Sequence, residues 1–233
     1  MDYAAIFHQR YSTALVADAA YRANLPLGIG TIGLAPLDRR QKLAGPAVTV
    51  QANNDLISIL ATVHYAQPGD VVVVTNKTEA VALIGDIIAG EARRKGLAGF
   101  VIDGCVRDAV ALLKLDVTVV CRGLYPVGPL KLPDEVKGIG QRDVALRLGE
   151  ATVHPGDWVF ADTDGVIFIA AGHLPVLYEQ AGQLLEREDN LIANIEKGTS
   201  LSDMIALESF LEKRAKDPTA DFNAHLAEHD QTI

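Results

Sequence analysis

Asp70-Val71-Val72-Val73-Val74-Thr75 is the stretch that sets the class of fold. Four consecutive β-branched apolar residues leave no polar face, so the segment reads as a strand covered on both sides, as in the sheet of an α/β domain. Pro68-Gly69 marks a turn before it. After it the spacing predicts a helix from about Ile87 to Lys95, closed by Gly96 where a left-handed cap is favoured. Gly99 to Ile102 is the next buried strand.

Upstream, small and apolar residues from Ser12 to Arg22 suit a helix that must stop before Asn24-Leu25-Pro26-Leu27-Gly28. Gly45-Pro46 opens a strand from Ala47 to Gln51, and Asn54 or Asp55 caps a helix carrying Leu56, Ile57, Leu60 and Val63. Downstream, strands are expected at Val117 to Val120, Trp158 to Ala161 and Val166 to Ala170, separated by turn signals such as His154-Pro155-Gly156-Asp157. From Pro175 to Glu196 apolar residues recur at helical spacing, and Gly198 marks the end. Beyond about Leu211 the chain turns polar and is expected to fray. This predicts one main domain over residues 1–210 and a polar C-terminal tail over 211–233.

The chain has 233 residues, 49% of them apolar, which suffices for one substantial core. A formal charge of −9 and an aromatic content of 6% argue against a nucleic-acid surface, which needs basic residues with interleaved aromatics. No apolar run approaches the roughly 20 residues of a membrane span, and Met1 to Arg10 has no signal-type apolar segment, so the cytoplasm is the expected compartment. Cys105 and Cys121 read as reduced thiols rather than a disulfide. The sequon Asn76-Lys77-Thr78 is discounted for want of a secretory route.

Asp86 is followed, after twenty intervening residues, by Arg107-Asp108. A nine-residue helix runs out roughly 13 Å and a five-residue strand runs back roughly 16 Å, which returns Arg107 towards the helix start. The start itself, Gly85-Asp86-Ile87-Ile88, offers free N–H groups and the positive end of the helix dipole, a site for a carboxylate. Arg107 adds a planar donor fork suited to a carboxylate or an enolate oxygen. Asp86 and Asp108 are two carboxylates fit for a hard cation, Mg²⁺ or Mn²⁺, whose remaining positions water and a 2-oxo acid would fill. Breaking the C3–C4 bond of such an acid leaves negative charge on the keto oxygen, where a cation and Arg107 stabilise it. The plain structural alternative is that Asp86 is a helix N-cap, Asp103-Gly104 a turn, and Arg107-Asp108 a surface pair.

In order and spacing, a wider set of motifs resembles the class II 4-hydroxy-4-methyl-2-oxoglutarate/4-carboxy-4-hydroxy-2-oxoadipate aldolases, which share a fold with regulator of ribonuclease activity A. The set comprises Ala17-Asp18-Ala19, Ala44-Gly45-Pro46-Ala47-Val48-Thr49-Val50, Pro68 to Val74, Gly85-Asp86, Asp103-Gly104-Cys105-Val106-Arg107-Asp108, and Pro155-Gly156-Asp157 leading to Ala161-Asp162-Thr163-Asp164-Gly165-Val166. The resemblance covers roughly residues 12 to 195 and implies an α/β fold, a swivelling β/β/α-type (RraA-like) sandwich with a long C-terminal helix. It implies a metal-dependent lyase that releases pyruvate, with oxaloacetate decarboxylation through the shared enolate. Asp108 would bind the metal directly and Asp86 through water; Arg107 would contact pyruvate, and the amides of Gly85, Ile87 and Ile88 would hold its carboxylate. It further implies a homotrimer or hexamer in which a glutamate of the neighbour's C-terminal helix, matching Glu186 or Glu188, reaches the site; Glu188 is taken as the candidate. Ala170-Ala171 stands where the family commonly has proline, which loosens the subfamily assignment.

Four rivals compete. Gly28-Ile29-Gly30-Thr31-Ile32-Gly33 spells a dinucleotide fingerprint, yet Pro26 precedes it and Leu34-Ala35-Pro36-Leu37 follows, so neither strand nor helix is in place. His225-Leu226-Ala227-Glu228-His229 spells HxxEH, but it lies in a polar tail without a third ligand, and a solvated helix end is expected. Cys105 has no histidine partner and acidic neighbours that suppress its thiolate. The serious alternative is a non-catalytic RraA-type regulator that binds ribonuclease E; retention of Asp108 with Asp86 and Arg107 favours the enzyme.

Overall fold

The structure, a computed structural model, describes residues 1–76, 78, 80–131, 138 and 140–228. Lys77 of the sequon and His229 of the HxxEH segment lie outside the described residues. The chain divides into two compact units, Met1–Tyr178 and Glu179–Ile233.

In the first unit β3 (Leu43–Gln51), β4 (Val71–Thr75), β5 (Gly99–Val106) and β6 (Thr118–Leu124) run parallel as neighbours in one mixed sheet. The connections carry α3 (Ile57–Tyr65), α4 (Asp86–Lys95) and the short α5 (Ala109–Leu112). Beyond β3 the sheet continues antiparallel through β10 (Trp158–Asp162), β11 (Gly165–Ile169) and the two-residue β1 (Gly28–Ile29). β2 (Ala35–Pro36) closes the far edge on β6, and β7 (Gln141–Arg142) adds to the end of β3.

The valine run behaves as its composition requires. Val72 and Val74 face a core with Ile59 and Val63 of α3 and Ile88, Ala89 and Ala92 of α4. Val71 and Val73 face a second core closed by the hairpin β8 (Leu146–Leu148) and β9 (Ala151–Val153) together with Val159 and Val166. Helices cover one face and β-structure the other, which is the β/β/α sandwich expected.

Several elements differ from expectation in extent. β3 starts at Leu43 because Leu43 to Pro46 pair with β10 before Ala47 to Gln51 pair with β4. Through a register shift after Ile102, β5 runs on to Val106, so Cys105 lies in a strand rather than a loop. The helix α1 (Tyr3–Arg10) was not anticipated; Asp2 caps it, and Phe7 packs on Phe160 with ring centroids 5.1 Å apart. Ser12 caps α2 (Thr13–Arg22), and Asp55 accepts from the Ser58 N–H at 2.7 Å, one residue ahead of the formal cap Leu56 of α3. Gly96 ends α4 at φ 74° in the left-handed region, as its position predicts.

The long helix α6 (Leu174–Glu196) begins in the first unit and passes into the second, where α7 (Leu201–Met204), α8 (Leu207–Lys216) and α9 (Phe222–Glu228) follow. Within the stretch expected to fray, the residues up to Lys216 and Phe222–Glu228 are helical, and the rings of Phe210, Phe222 and His225 pack together among the charges. The Phe210 and Phe222 centroids are 4.8 Å apart, His225 stacks on Phe222, and a His225 ring nitrogen lies 2.9 Å from the Ile205 carbonyl. His225 is thus buried rather than solvated, and Glu228 pairs with Lys213 at 3.7 Å. The glycines of the fingerprint-like segment form β1 and a turn with no helix opening on them. Among the described residues no helix is long and apolar enough to cross a membrane.

Candidate functional site

The loop after β4 decides the site. Ala82 forms a parallel bridge with Cys105, the Leu83 N–H donates to the Cys105 carbonyl, and the Arg107 N–H donates to the Ile84 carbonyl, both at 3.0 Å. These bonds extend the sheet pattern past the end of β4 and bring Gly85 beside Arg107 and Asp108. Leu83 and Ile84 are almost wholly buried, which anchors the segment from within.

At Gly85 the chain turns from extended backbone, φ −142° and ψ −165°, into α4. Gly85 is the N-cap, with no side chain to satisfy the first amides of the helix, and Asp86 is its first residue. The alternative in which Asp86 caps the helix is therefore corrected by one position. Open amides and the dipole of a ten-residue helix favour an anion at this point.

Asp108 sits at φ 60°, ψ 35°, a left-handed conformation that aspartate tolerates better than most residues. Although it precedes α5, its carboxylate does not cap that helix. It lies against Gly85 instead: a β-carbon on Gly85 would collide with Asp108 Oδ2. Arg107 Nε is 3.4 Å from the same oxygen, and both side chains are roughly two-fifths exposed, so this pair adds little to stability. Behind the guanidinium stands Gly128, whose β-carbon would fall 2.8 Å from Arg107 Nη1 and 3.2 Å from Cζ. The Ala82 N–H donates to the Val127 carbonyl at 2.8 Å and holds that wall in place.

Gly85, Asp86, Ile87, Ile88, Arg107 and Asp108 thus line one open cleft of about 270 Å³. Gly128, Pro129 and Leu130 after β6, Leu56 at the start of α3 and Leu60 within it also line the cleft and were not singled out as site residues from the sequence. Pro126-Val127-Gly128-Pro129 reads from sequence as a turn after β6, and nothing local to it points to Arg107. Glu186 and Glu188 lie on α6, in the second unit.

Among the described residues no group of three or more histidine, cysteine, aspartate or glutamate side chains gathers as a metal cage. Two carboxylates at one cleft, Asp86 in the first turn of α4 and Asp108 at the N-cap position of α5 without a side-chain capping bond, suit a cation that needs one or two protein ligands and fills the rest with water and substrate. Of the two thiols beneath the site, Cys121 is buried, which pushes its pKa up to about 11. Asp103, beside Cys105, pairs with Arg122 at 2.8 Å.

A parallel core carrying its cleft at the carboxyl ends of β4 and β5, under a β-layer and over helices, defines an RraA-like α/β protein. A sequence profile of the RraA-like family, described as Aldolase/RraA, matches residues 13–168, and the chain belongs to that family. A relative from Halalkalibacterium halodurans, provisionally named a 4-hydroxy-4-methyl-2-oxoglutarate aldolase, is 34% identical over 187 residues, covering 78% of this chain and 83% of its own length. One with the same provisional name from Paraburkholderia phytofirmans is 36% identical over 166 residues, 69% of this chain and 97% of its own. The solved structure of Streptomyces coelicolor RraAS2, described as an unusual member of the RNase ES inhibitor RraA family, is similar at a TM-score of 0.61 and 27% identity, covering 76% of this chain and 88% of that one.

Proposed function

We propose that this chain is a carbon–carbon lyase that releases pyruvate from 4-hydroxy-4-methyl-2-oxoglutarate or a related 4-hydroxy-2-oxo acid. The observation that carries the reading is the placement of Arg107 and Asp108 against the uncapped start of α4. The names of the two bacterial relatives support the substrate class.

In this reading the amides at Gly85, Ile87 and Ile88 hold the substrate carboxylate, and Arg107 donates to the keto oxygen. When the C3–C4 bond breaks, its electron pair moves into an enolate, and the guanidinium of Arg107 would stabilise the oxygen that gains charge. The 4-hydroxyl gives up its proton, C4 leaves as a carbonyl group, and C3 is reprotonated to give pyruvate. With oxaloacetate the same bond breaks and carbon dioxide leaves, so one enolate serves both reactions. Asp108, with Asp86 acting through water, would hold Mg²⁺ or Mn²⁺, which would supply Lewis-acid stabilisation of that charge. A homotrimer or hexamer, in which Glu188 of a neighbouring copy takes the hydroxyl proton, completes the proposal.

A second reading, a non-catalytic regulator that binds a ribonuclease, is favoured by the likeness to RraAS2. One assay separates the two. Pyruvate release from 4-hydroxy-4-methyl-2-oxoglutarate and from oxaloacetate, with and without Mg²⁺, is coupled to lactate dehydrogenase. Metal-dependent release supports the lyase; silence on both substrates supports the regulator.

A further inference from the structure

β5 does not run evenly along its neighbour. Between the pairs Ile102–Cys121 and Cys105–Gly123, β5 carries two residues, Asp103 and Gly104, where β6 carries one, Arg122. The extra residue is a β-bulge, a device that recurs beside active sites because it re-aims the side chains that follow it. Here Cys105, Val106 and Arg107 follow directly. Without the bulge Arg107 would advance by one residue along β6, roughly 3.3 Å, and its side chain would turn to the other face of the sheet.

Arg122 grips this bulge at two points. Its Nε lies 2.8 Å from Asp103 Oδ1, as an ion pair without the alignment of a hydrogen bond, and its Nη2 donates to the Asp103 carbonyl at 3.2 Å. The Arg122 and Asp103 side chains are 28% and 15% exposed, so water and salt screen this pair less than the open Arg94–Glu91 pair on α4. Past the bulge, the Cys105 carbonyl accepts from the Leu83 N–H and the Arg107 N–H donates to the Ile84 carbonyl. These bonds join the bulged segment to the loop that ends at Gly85, so what fixes the bulge also fixes where Arg107 meets the start of α4.

We infer that Arg122 is a positioning residue, which pins the β5 bulge through Asp103 and thereby sets the place of Arg107 at the cleft. Its part in turnover rests on the pyruvate-lyase reading above; the pinning itself does not.

The test pairs amide hydrogen exchange with steady-state kinetics on the full chain. Arg122→Met keeps most of the apolar stem and removes the donor fork. Exchange at the Leu83 and Arg107 amides should quicken about tenfold or more, while the mid-strand amides of Val73 and Val101 keep their rates. Asp103→Asn should act in the same direction to a smaller extent, and is the measure if Arg122→Met does not fold. Pyruvate release from 4-hydroxy-4-methyl-2-oxoglutarate with Mg²⁺ should fall about 10- to 100-fold in kcat, and Arg122→Lys should recover part of that loss. Unchanged exchange at Leu83 and Arg107, or equal quickening at all four amides, would overturn the pinning. Quickened exchange with kcat within about threefold of the parent would overturn the positioning role. A parent chain that releases no pyruvate, while its variants show the local quickening, would overturn the lyase reading and leave the pinning standing.

Discussion

The Asp108 carboxylate lies against the α-carbon of Gly85, in the space that a β-carbon there would need. One residue caps the helix that offers its amides, and the other brings the carboxylate to the same point. Gly85→Ala should therefore displace Asp108 while leaving α4 folded, because the Asp108 side chain is two-fifths exposed and free to rotate away. A shift of about 1 Å in a reacting group costs on the order of a hundredfold in rate. We expect a loss of that size in pyruvate release with an unchanged far-ultraviolet circular dichroism spectrum; activity within threefold of the parent would refute the arrangement.

Arg107 is held by its own backbone bond to Ile84 and by the flat wall of Gly128. Arg107→Ala should lower kcat by about 10²- to 10³-fold, the range for removing one oxyanion donor. Arg107→Lys keeps the charge but not the planar fork, and should recover only a small part. Gly128→Ala pushes the guanidinium aside without removing it, so a loss of about tenfold in kcat/KM is expected. Steady-state kinetics on the three variants should rank them in that order of severity, Ala worst and Gly128→Ala mildest.

Asp108→Asn tests the metal directly. The amide is a poor ligand for a hard cation, so calorimetric titration with Mg²⁺ should lose its binding signal and turnover its metal dependence. A variant that binds Mg²⁺ as the parent does would remove Asp108 from the ligand set.

Cys121 supplies a check on pH. Burial disfavours the charged thiolate and pushes its pKa up to about 11, so near neutral pH only a very small fraction is ionised. Labelling of the folded protein by iodoacetamide at pH 7.5 should fall on the partly exposed Cys105 and spare Cys121. Labelling of Cys121 should rise with pH towards 11 or on unfolding. Equal labelling of both thiols in the native state at pH 7.5 would contradict the burial.

Away from the cleft, Asp162 joins the sheet to a helix start. Its Oδ2 accepts from the Thr13 N–H at 2.8 Å and its Oδ1 from the Thr13 hydroxyl at 2.6 Å, with both residues buried. Asp162→Ala leaves those donors unmet at the first turn of α2 and should destabilise the fold by about 2–4 kcal/mol, read as a lowered urea midpoint.

The extent to which the sequence exposes this site differs residue by residue. Asp86, Arg107 and Asp108 were legible because helix and strand lengths between them return the chain to its start. Gly96 and Ser12 were legible because caps depend on local backbone geometry alone. Gly128 was not, because its role is to leave room for a guanidinium that lies twenty-one positions earlier in the chain. The helices α8 and α9 were missed for a related reason: polar residues dominate the count, while the packing that holds them comes from Phe210, Phe222 and His225.

Side-chain alternation in Val71 to Val74 already requires two apolar faces, since successive residues of a strand point to opposite sides whatever lies there. That local rule specifies a covered strand, the helices beside it and the anion-favouring start of α4. It does not specify what comes to meet them. The Leu83–Cys105 and Ile84–Arg107 backbone bonds exist because β4 and β5 pair in one particular register, and a hydrogen-bond register between distant segments is a property of their joint packing. Only once that pairing is made does Asp108 come to rest against Gly85, and a helix start become a cleft.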